Sequence, residues 1–210
     1  MKYRILTFLA LAVMMTGCAN YSSFQSADTV PEDEFRFGIG ATYSQYEIEV
    51  GEETVDASVP ALAFWGRYGV TEKLELHGNV WLPLGASVGG KYQLLGGRHE
   101  KGLSLSLGTD VGYLSVSSGE GDSEVSTTLL DLYVPVYTGY RFSKGFAMYL
   151  TPKYILRTSI GDVETELFHT PAATLGTAIG TDFEFLVEGT IAYDIVTENP
   201  AFTAGVGISF

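Results

Sequence analysis

The strongest constraint on the fold is the regular alternation of side chains in the last nine residues of the chain, 202–210. Threonine, serine or glycine separates successive members of an apolar set formed by Phe202, Ala204, Val206, Ile208 and Phe210. Neighbouring side chains of a β-strand point to opposite faces, so this stretch predicts a strand with one apolar and one small, polar face. Chain termini usually fray and tend to be polar. An apolar strand that ends on an aromatic residue is therefore unusual for a soluble protein.

The same alternation runs through the chain from residue 34 and predicts about ten strands. No run reaches the ~18–20 consecutive apolar residues that a transmembrane helix needs, and no helical periodicity of similar quality follows the N-terminal segment. The 25 glycines suit turns and crowded interiors, and the 13 tyrosines and 12 phenylalanines suit pleated surfaces. The predicted strands are 34–48, 58–70, 73–83, 87–96, 103–117, 126–142, 146–159, 170–180, 183–195 and 202–210.

The connections between the predicted strands fall into two groups. Links from odd to even strands, such as 51–56, 118–124 and 161–169, include the longer ones and carry clustered acidic residues, whereas even-to-odd links are mostly tight. Outer-membrane barrels have short periplasmic turns and longer external loops. An even number of strands also brings both ends of the barrel to the same side, which we expect to be periplasmic.

Aromatic residues recur in pairs on the apolar faces, eight residues apart. Eight residues of a strand tilted by ~40° rise about 20 Å, close to the apolar band that two aromatic girdles bound in an outer-membrane barrel. The pairs are Phe35 and Tyr43, Phe146 and Tyr154, Phe185 and Tyr193, and Phe202 and Phe210. We therefore predict an all-β fold, a membrane-spanning antiparallel up-and-down β-barrel of about ten strands. Two alternatives stay open: eight strands, if segments such as 87–96 are loop, and a soluble periplasmic β-sandwich.

Charged residues fall on the opposite, inward faces of the predicted strands. An Arg or Lys facing lipid at mid-membrane costs roughly 2–4 kcal/mol, so the phase of each strand is physically enforced. Balanced charges in a narrow lumen are expected to pair, because a buried unpaired charge is costly. The predicted lumen charge network consists of Arg36, Arg67, Glu75, Lys91, Asp110, Asp131, Arg141, Lys153, Arg157, Glu184, Glu188 and Asp194.

The predicted lumen is narrow, because about eight strands leave an interior that side chains can fill and sixteen or more leave a water channel. Large inward residues should block most of it, namely Trp81, Tyr133, Tyr137 and Tyr149. Strands eight, ten and one carry small inward residues that we call the glycine-rich arc: Ala172, Thr174, Gly176, Gly205, Gly207, Gly38 and Gly40. We expect an off-centre packed lumen, with any residual water path beside this arc.

The N-terminal residues predict export and an anchor. Two basic residues precede an apolar run at residues 5–15, which has signal-peptide length and is too short to span a membrane. The sequence Met-Thr-Gly-Cys at 15–18 resembles a bacterial lipobox, which implies cleavage before Cys18 and its lipidation; an ordinary secretory signal is the alternative. We assign residues 1–17 to a lipoprotein signal peptide, 18–33 to a polar tether from lipidated Cys18, and 34–210 to the outer-membrane barrel.

Little in the sequence points to catalysis, a cofactor or a metal. No Cys pair, His-x-x-x-His, Gly-x-Ser-x-Gly or phosphate-binding glycine loop is present. His77 is expected to be buried and hydrogen-bonded and His99 to be solvated, while His169, near two acidic residues, leaves a metal or acid–base role open. The acidic clusters at 47–56 and 120–124 favour a solvated rim, with divalent-cation binding as the alternative. We predict no enzymatic activity, no cofactor and no metal site.

Loss of the signal peptide changes the formal net charge from −13 to −15, because Lys2 and Arg4 are both basic. A chain this acidic, without a basic patch, is a poor candidate for binding nucleic acid. Charge therefore excludes one large class of partners.

Three stretches resemble a known group of proteins. The run from Gly66 to Leu76 is similar to a hairpin turn of many small Gram-negative outer-membrane proteins, and residues 23–31 resemble the start of lipid-anchored members. The C-terminal strand resembles the barrel-assembly signal, which would be carried by Phe202, Val206, Ile208 and Phe210. The chain thus resembles the small Gram-negative outer-membrane β-barrel lipoproteins, a resemblance that concerns architecture.

The resemblance implies a place in the bacterial outer membrane, with a lipid anchor on the periplasmic side and a monomeric barrel. The implied partners are outer-membrane lipids, lipopolysaccharide and the barrel-assembly machinery. The function we expect is a non-enzymatic structural or interaction role in the cell envelope, with a narrow, charge-filled lumen. A small-solute channel is the alternative, and a surface enzyme is a less favoured one.

Overall fold

Each predicted strand is present in the computed structural model, which describes residues 21–50, 53–82, 85–98, 100–118, 125–161 and 167–210. The strands are β1 Phe35–Val50, β2 Glu53–Gly69, β3 Leu74–Leu82, β4 Gly85–Leu95, β5 Gly102–Ser118, β6 Val125–Ser143, β7 Phe146–Gly161, β8 Leu167–Gly180, β9 Glu184–Tyr193 and β10 Pro200–Ser209. The prediction of ten strands is confirmed. The eight-stranded alternative is wrong, because β4 pairs with both β3 and β5.

The strands follow one another around a closed antiparallel barrel in chain order, and β1 closes it by pairing with β10. The closing register runs from Gly38 opposite Ser209 to Tyr46 opposite Ala201. Closure leaves no unpaired sheet edge, which a membrane-spanning sheet requires because lipid offers no partner to exposed backbone groups. The alternating C-terminal strand is therefore the element that completes the barrel.

The two ends of the barrel differ. We call the end with the β2–β3, β4–β5, β6–β7 and β8–β9 connections the turn end, and the opposite end the loop end. The strands β1, β2, β5, β6 and β7 have 16–19 residues, whereas β3, β4, β9 and β10 have 9–11. The long strands continue toward the loop end, so much of the predicted 51–56 link is paired strand, because its alternating residues can extend the ladder.

The outer wall of the barrel is apolar. Leucine, valine and isoleucine side chains lie exposed around it, with Val88 at 66% and Leu175 at 57%. Seven of the eight residues in the predicted aromatic pairs are exposed and Phe146 is half-buried, so the predicted outward phase is confirmed. A continuous apolar surface of this extent is not stable in water and matches the lipid-facing band of a membrane barrel. Among the described residues, no helix is long and apolar enough to cross a membrane.

Residues 21–30 lie inside the barrel. We call them the lumen segment; nine of them are buried and Ser23 is half-buried. The sequence predicted a polar tether at 18–33 outside the barrel, whereas the described part of that stretch enters it and leaves at the turn end. There Asp33 donates its N–H to the carbonyl of Gly69 at 2.8 Å, and β1 begins two residues later. The polar composition that predicted a solvated tether also suits a segment whose partners line a polar lumen.

Candidate functional site

Three cationic side chains converge on one residue of the lumen segment, Asp28. Arg141 donates to the Asp28 carboxylate from Nε at 3.0 Å and from Nη2 at 2.6 Å. The carbonyl oxygen of Asp28 accepts from Arg67 Nη2 and from Lys91 Nζ, both at 2.9 Å. Lys91 also donates to the carbonyl of Ser26 at 3.1 Å. We call Arg67, Lys91 and Arg141 the basic cluster.

Glu75 connects the basic cluster to the backbone of the lumen segment. Arg67 donates to the two oxygens of the Glu75 carboxylate at 2.9 and 2.7 Å, and Lys91 Nζ lies 3.4 Å away. The same carboxylate accepts the backbone N–H of Val30 at 2.8 Å. The fully buried Glu75 therefore has partners of both kinds, wall cations and the segment, as a buried charge requires.

Neutral side chains of the wall donate and accept further hydrogen bonds with segment residues next to Asp28. Thr29 donates its hydroxyl to Gln93 Oε1 at 2.6 Å, and Ser106 donates to the carbonyl of Ala27 at 2.5 Å. These contacts come from β4 and β5, opposite the glycine-rich arc. The segment is thus bonded through its backbone as well as its side chains.

The turn-end opening carries additional charges. Glu184 lies 3.8 Å from Arg141 and 4.0 Å from Arg36. Burial lowers the pKa of Arg98, in the β4–β5 connection, to about 10. Arg98 remains protonated at neutral pH, so it adds a cation to this opening.

The loop-end part of the segment is held by one cation and one anion. Lys153 donates its ammonium to the carbonyl of Tyr21 and, at 3.3 Å, to the hydroxyl of Ser23. Glu188 accepts the hydroxyl of Ser22, the N–H of Ser23 at 2.9 Å and the hydroxyl of Tyr149 at 2.7 Å. Tyr21 packs in an apolar cluster that includes Tyr133 and Ile155. Both ends of the segment are therefore fixed to the wall.

Phe24 fills the space beside the glycine-rich arc. Its ring stacks on Trp65 with centroids 4.8 Å apart and an interplanar angle of 12°. A Cβ on Gly205 would lie 2.8 Å from Phe24 Cζ, so only glycine leaves room for the ring. The expected water path beside the arc is therefore wrong: the small wall residues make space for an aromatic side chain of the segment.

A cavity of about 370 Å³, including its open mouth, lies on another side of the lumen. Its wall includes Trp81, Tyr133, Asp110 and Lys153, and Ser22 and Ser23 of the segment. Part of the lumen volume therefore remains open next to the large inward residues, which the sequence predicted to block the lumen.

Elsewhere in the lumen, charged residues pair with each other. Arg157 donates to both oxygens of Asp131 at 2.7 Å, and Tyr133 donates its hydroxyl to the same carboxylate at 2.7 Å. His77 is hydrogen-bonded to Asp110 through Nε2, and its Nδ1 lies 3.6 Å from Glu75. His77 is thus buried and hydrogen-bonded, as predicted from its position in β3.

The structure places ten of the twelve predicted lumen charges in buried positions and two, Arg36 and Asp194, in half-buried ones. Sequence reasoning missed Asp28, which binds three of these cations, because Asp28 was assigned to the tether. One signal was available: Tyr21, Phe24, Ala27 and Val30 place an apolar residue at every third position, and all four are buried. Such spacing indicates a segment in contact with a surface.

The remaining candidates contribute no site that the structure describes. His169 lies on β8, where its Nδ1 is 2.8 Å from the Tyr154 hydroxyl, and not in an external loop. Among the described residues, no group of three or more His, Cys, Asp or Glu side chains is arranged to hold a metal ion. Cys18, His99 and most of the acidic rim lie outside the described residues or side chains.

The chain is similar, at low sequence identity, to several solved β-barrel structures. The outer-membrane protease OmpT of Escherichia coli is 14% identical, with a TM-score of 0.48 and coverage of 88% of this chain and 99% of that one. The N-terminal β-barrel domain of Pseudomonas aeruginosa OprF is 13% identical (TM-score 0.39, coverage 83% and 97%), and Yersinia pestis Ail is 12% identical (0.39, 84% and 99%). No family model and no curated protein sequence matches the chain. The fold of this chain, a closed ten-stranded antiparallel β-barrel, is seen in its own strand pairing.

Proposed function

We propose that the protein is a non-enzymatic outer-membrane β-barrel lipoprotein whose own N-terminal segment closes its lumen, and that it has a structural or interaction role in the cell envelope. The lumen segment carries this proposal. It occupies the barrel from Tyr21 to Val30, and buried wall residues bind polar groups at both of its ends. A barrel filled in this way offers solutes no continuous path.

The apolar exterior supports a membrane location, and the closed, fully paired wall supports spanning by strands. The state of the lumen histidine supports a non-enzymatic role. His77 is 3% exposed, so a substrate has no access to its ring, and its Nε2 is already hydrogen-bonded to Asp110. On this proposal the turn end faces the periplasm, and lipids, lipopolysaccharide and the barrel-assembly machinery are the partners.

The segment limits where a lipid on Cys18 can lie. Lys153, which binds Tyr21, is seven residues from the turn-end start of β7, so it lies about 18 Å above that end. The three residues from Tyr21 back to Cys18 span at most about 11 Å. A lipid inserted on the periplasmic side therefore requires part of the segment to withdraw, whereas an anchor nearer the loop end does not.

A small-solute channel is the second candidate, and the chemistry of the wall favours it. The side chains under the segment are charged or polar, so withdrawal of the segment would leave a lumen that water can wet. The two candidate functions differ in one respect, namely whether the lumen segment leaves the barrel under physiological conditions.

Planar-bilayer conductance of the purified, refolded protein tests the proposal. We expect the wild-type protein to be silent while heat-modifiable gel mobility shows a folded barrel. Discrete conductance steps from the wild-type protein, altered in ion selectivity by Lys153→Ala, would overturn the closed state and establish the channel.

A further inference from the structure

We infer that the basic cluster is a binding site for a carboxylate group, that Asp28 is its resident ligand, and that a small carboxylate takes the site when Asp28 is absent. The inference goes beyond the proposed function, because a barrel that never conducts would still have this site. It rests on the geometry around Asp28, the charge balance of the turn-end half and the chemistry of the donors.

The geometry is that of a built site. Arg67, Lys91 and Arg141 are 4%, 0% and 2% exposed, and each has a donor within 3.0 Å of an oxygen of Asp28. Arg141 approaches the carboxylate with two N–H groups, an arrangement that charge-assisted bonds favour. Arg141 is held in turn by its bond to the carbonyl of Lys144 at 2.9 Å. The donors are therefore oriented toward an anion by the wall as well as by the segment.

The charge balance requires an anion at this position. Among the described residues, the basic cluster and Arg36 lie within 4.0 Å of two wall carboxylates, Glu75 and Glu184. Without Asp28, four cations face two carboxylates. Buried charges in a medium of low polarity are costly unless they are paired, so an emptied site attracts an anion.

The donors also define the class of ligand. Besides the carboxylate, the site binds neutral oxygens, since Arg67 and Lys91 both donate to the Asp28 carbonyl. Both donors bind the backbone carbonyl of Asp28, and Lys91 also binds the Ser26 carbonyl, whereas the Asp28 carboxylate is bound by Arg141. The part of the site that Asp28→Ala would empty therefore suits a small carboxylate of the size of formate.

Chemical rescue of Asp28→Ala with formate tests the inference. The substitution removes only the carboxyl group, so formate has the size of the missing part. The full chain is refolded, and the temperature of its heat-induced gel-mobility shift is measured with sodium formate, formamide and sodium chloride at equal concentrations. Asp33→Ala is the matched control, because Asp33 is exposed and its carboxylate accepts a hydrogen bond from Tyr68 at the rim, away from the basic cluster.

We expect Asp28→Ala to lower the midpoint by about 10 °C, as loss of a partner from a buried charge cluster predicts. Formate should restore most of this loss with saturation, while formamide and chloride should not, and Asp33→Ala should not respond. An equal effect of formate and formamide, or of formate on both variants, would overturn the site. If Asp28→Ala fails to refold even in formate, the same midpoints are measured for Asp28→Ser. A larger stabilisation by formate than by formamide then supports the site, and an equal stabilisation overturns it.

Discussion

The two halves of the lumen are built from the same kinds of residue but depend differently on the lumen segment. In the loop-end half, Arg157 binds Asp131 within the wall, while Lys153 and Glu188 bind backbone and hydroxyl groups of the segment. In the turn-end half, the basic cluster completes its charge balance only through Asp28. The turn-end half therefore binds a charged side chain of the segment, whereas the loop-end half binds neutral groups of the segment.

The largest effect is expected from Asp28→Arg, which places a fourth cation in the basic cluster. Leaving it there would cost at least about 3–5 kcal/mol, so the segment should withdraw. We expect a folded barrel that now shows conductance steps in planar bilayers. Asp33→Arg makes the same charge change at an exposed position and should stay silent. A silent but folded Asp28→Arg barrel would mean that the segment is not held by this cluster.

A disulfide between the lumen segment and the wall would hold the segment in place and test its position in the turn-end half. A Cβ on Gly139 would lie 3.5 Å from the Cβ of Ala27, within the range for a disulfide. We expect the Ala27→Cys/Gly139→Cys variant to cross-link on oxidation, to gain about 2–4 kcal/mol in unfolding free energy, and to remain silent at high voltage.

The control for this lock is Ala27→Cys/Gly189→Cys. Gly189 has no neighbouring atom within 4 Å of a built Cβ, so it offers no partner for position 27. Gel mobility with and without reductant measures the cross-link. Equal cross-linking in both variants would show that residue 27 is not seated beside Gly139.

A smaller effect is expected from Lys153→Ala in the loop-end half. The variant loses the bonds to the Tyr21 carbonyl and the Ser23 hydroxyl, which should lower stability by about 1–3 kcal/mol. Because the basic cluster is intact, the segment should stay and the barrel should remain silent. Urea unfolding measures the loss of stability, and bilayer recording tests for conductance. A conducting Lys153→Ala barrel would show that both halves hold the segment equally.

The smallest effect is expected from Gly205→Ala in the glycine-rich arc. The added methyl group would lie 2.8 Å from Phe24 and 3.0 Å from the Ser22 hydroxyl, which should cost about 1–3 kcal/mol as overpacking does. Gly189→Ala, in open space, is the matched control and should cost less than 1 kcal/mol. Equal urea midpoints for the two variants would contradict the close packing of Phe24 against Gly205.

Much of the wall could be predicted from the sequence. Strand existence, outward aromatic pairs such as Phe35 and Tyr43, and inward charges such as Glu75 all follow from a period of two along each strand. That period comes from the backbone itself and needs no knowledge of distant residues. Strand ends were less accurate: β2 begins at Glu53 where the alternation had predicted 58, because pairing with β1 extends it.

The site at Asp28 could not be predicted in the same way. Residues 21–30 have no strand alternation, and their polar composition fits both a solvated tether and a segment inside a polar lumen. The choice depends on partners 39 and 113 positions away in the chain, Arg67 and Arg141. Only their arrangement in space decides it.

The sequence by itself therefore determined about ten strands, each with an apolar outer and a polar or charged inner face, because alternation is a local property of extended backbone; pairing of β1 with β10 came from the tertiary structure. The tertiary structure alone decided that the lumen is filled by residues 21–30 and that Asp28 balances the basic cluster. The physical reason is that buried charges select their partners by proximity, and proximity in a barrel is set by its closure.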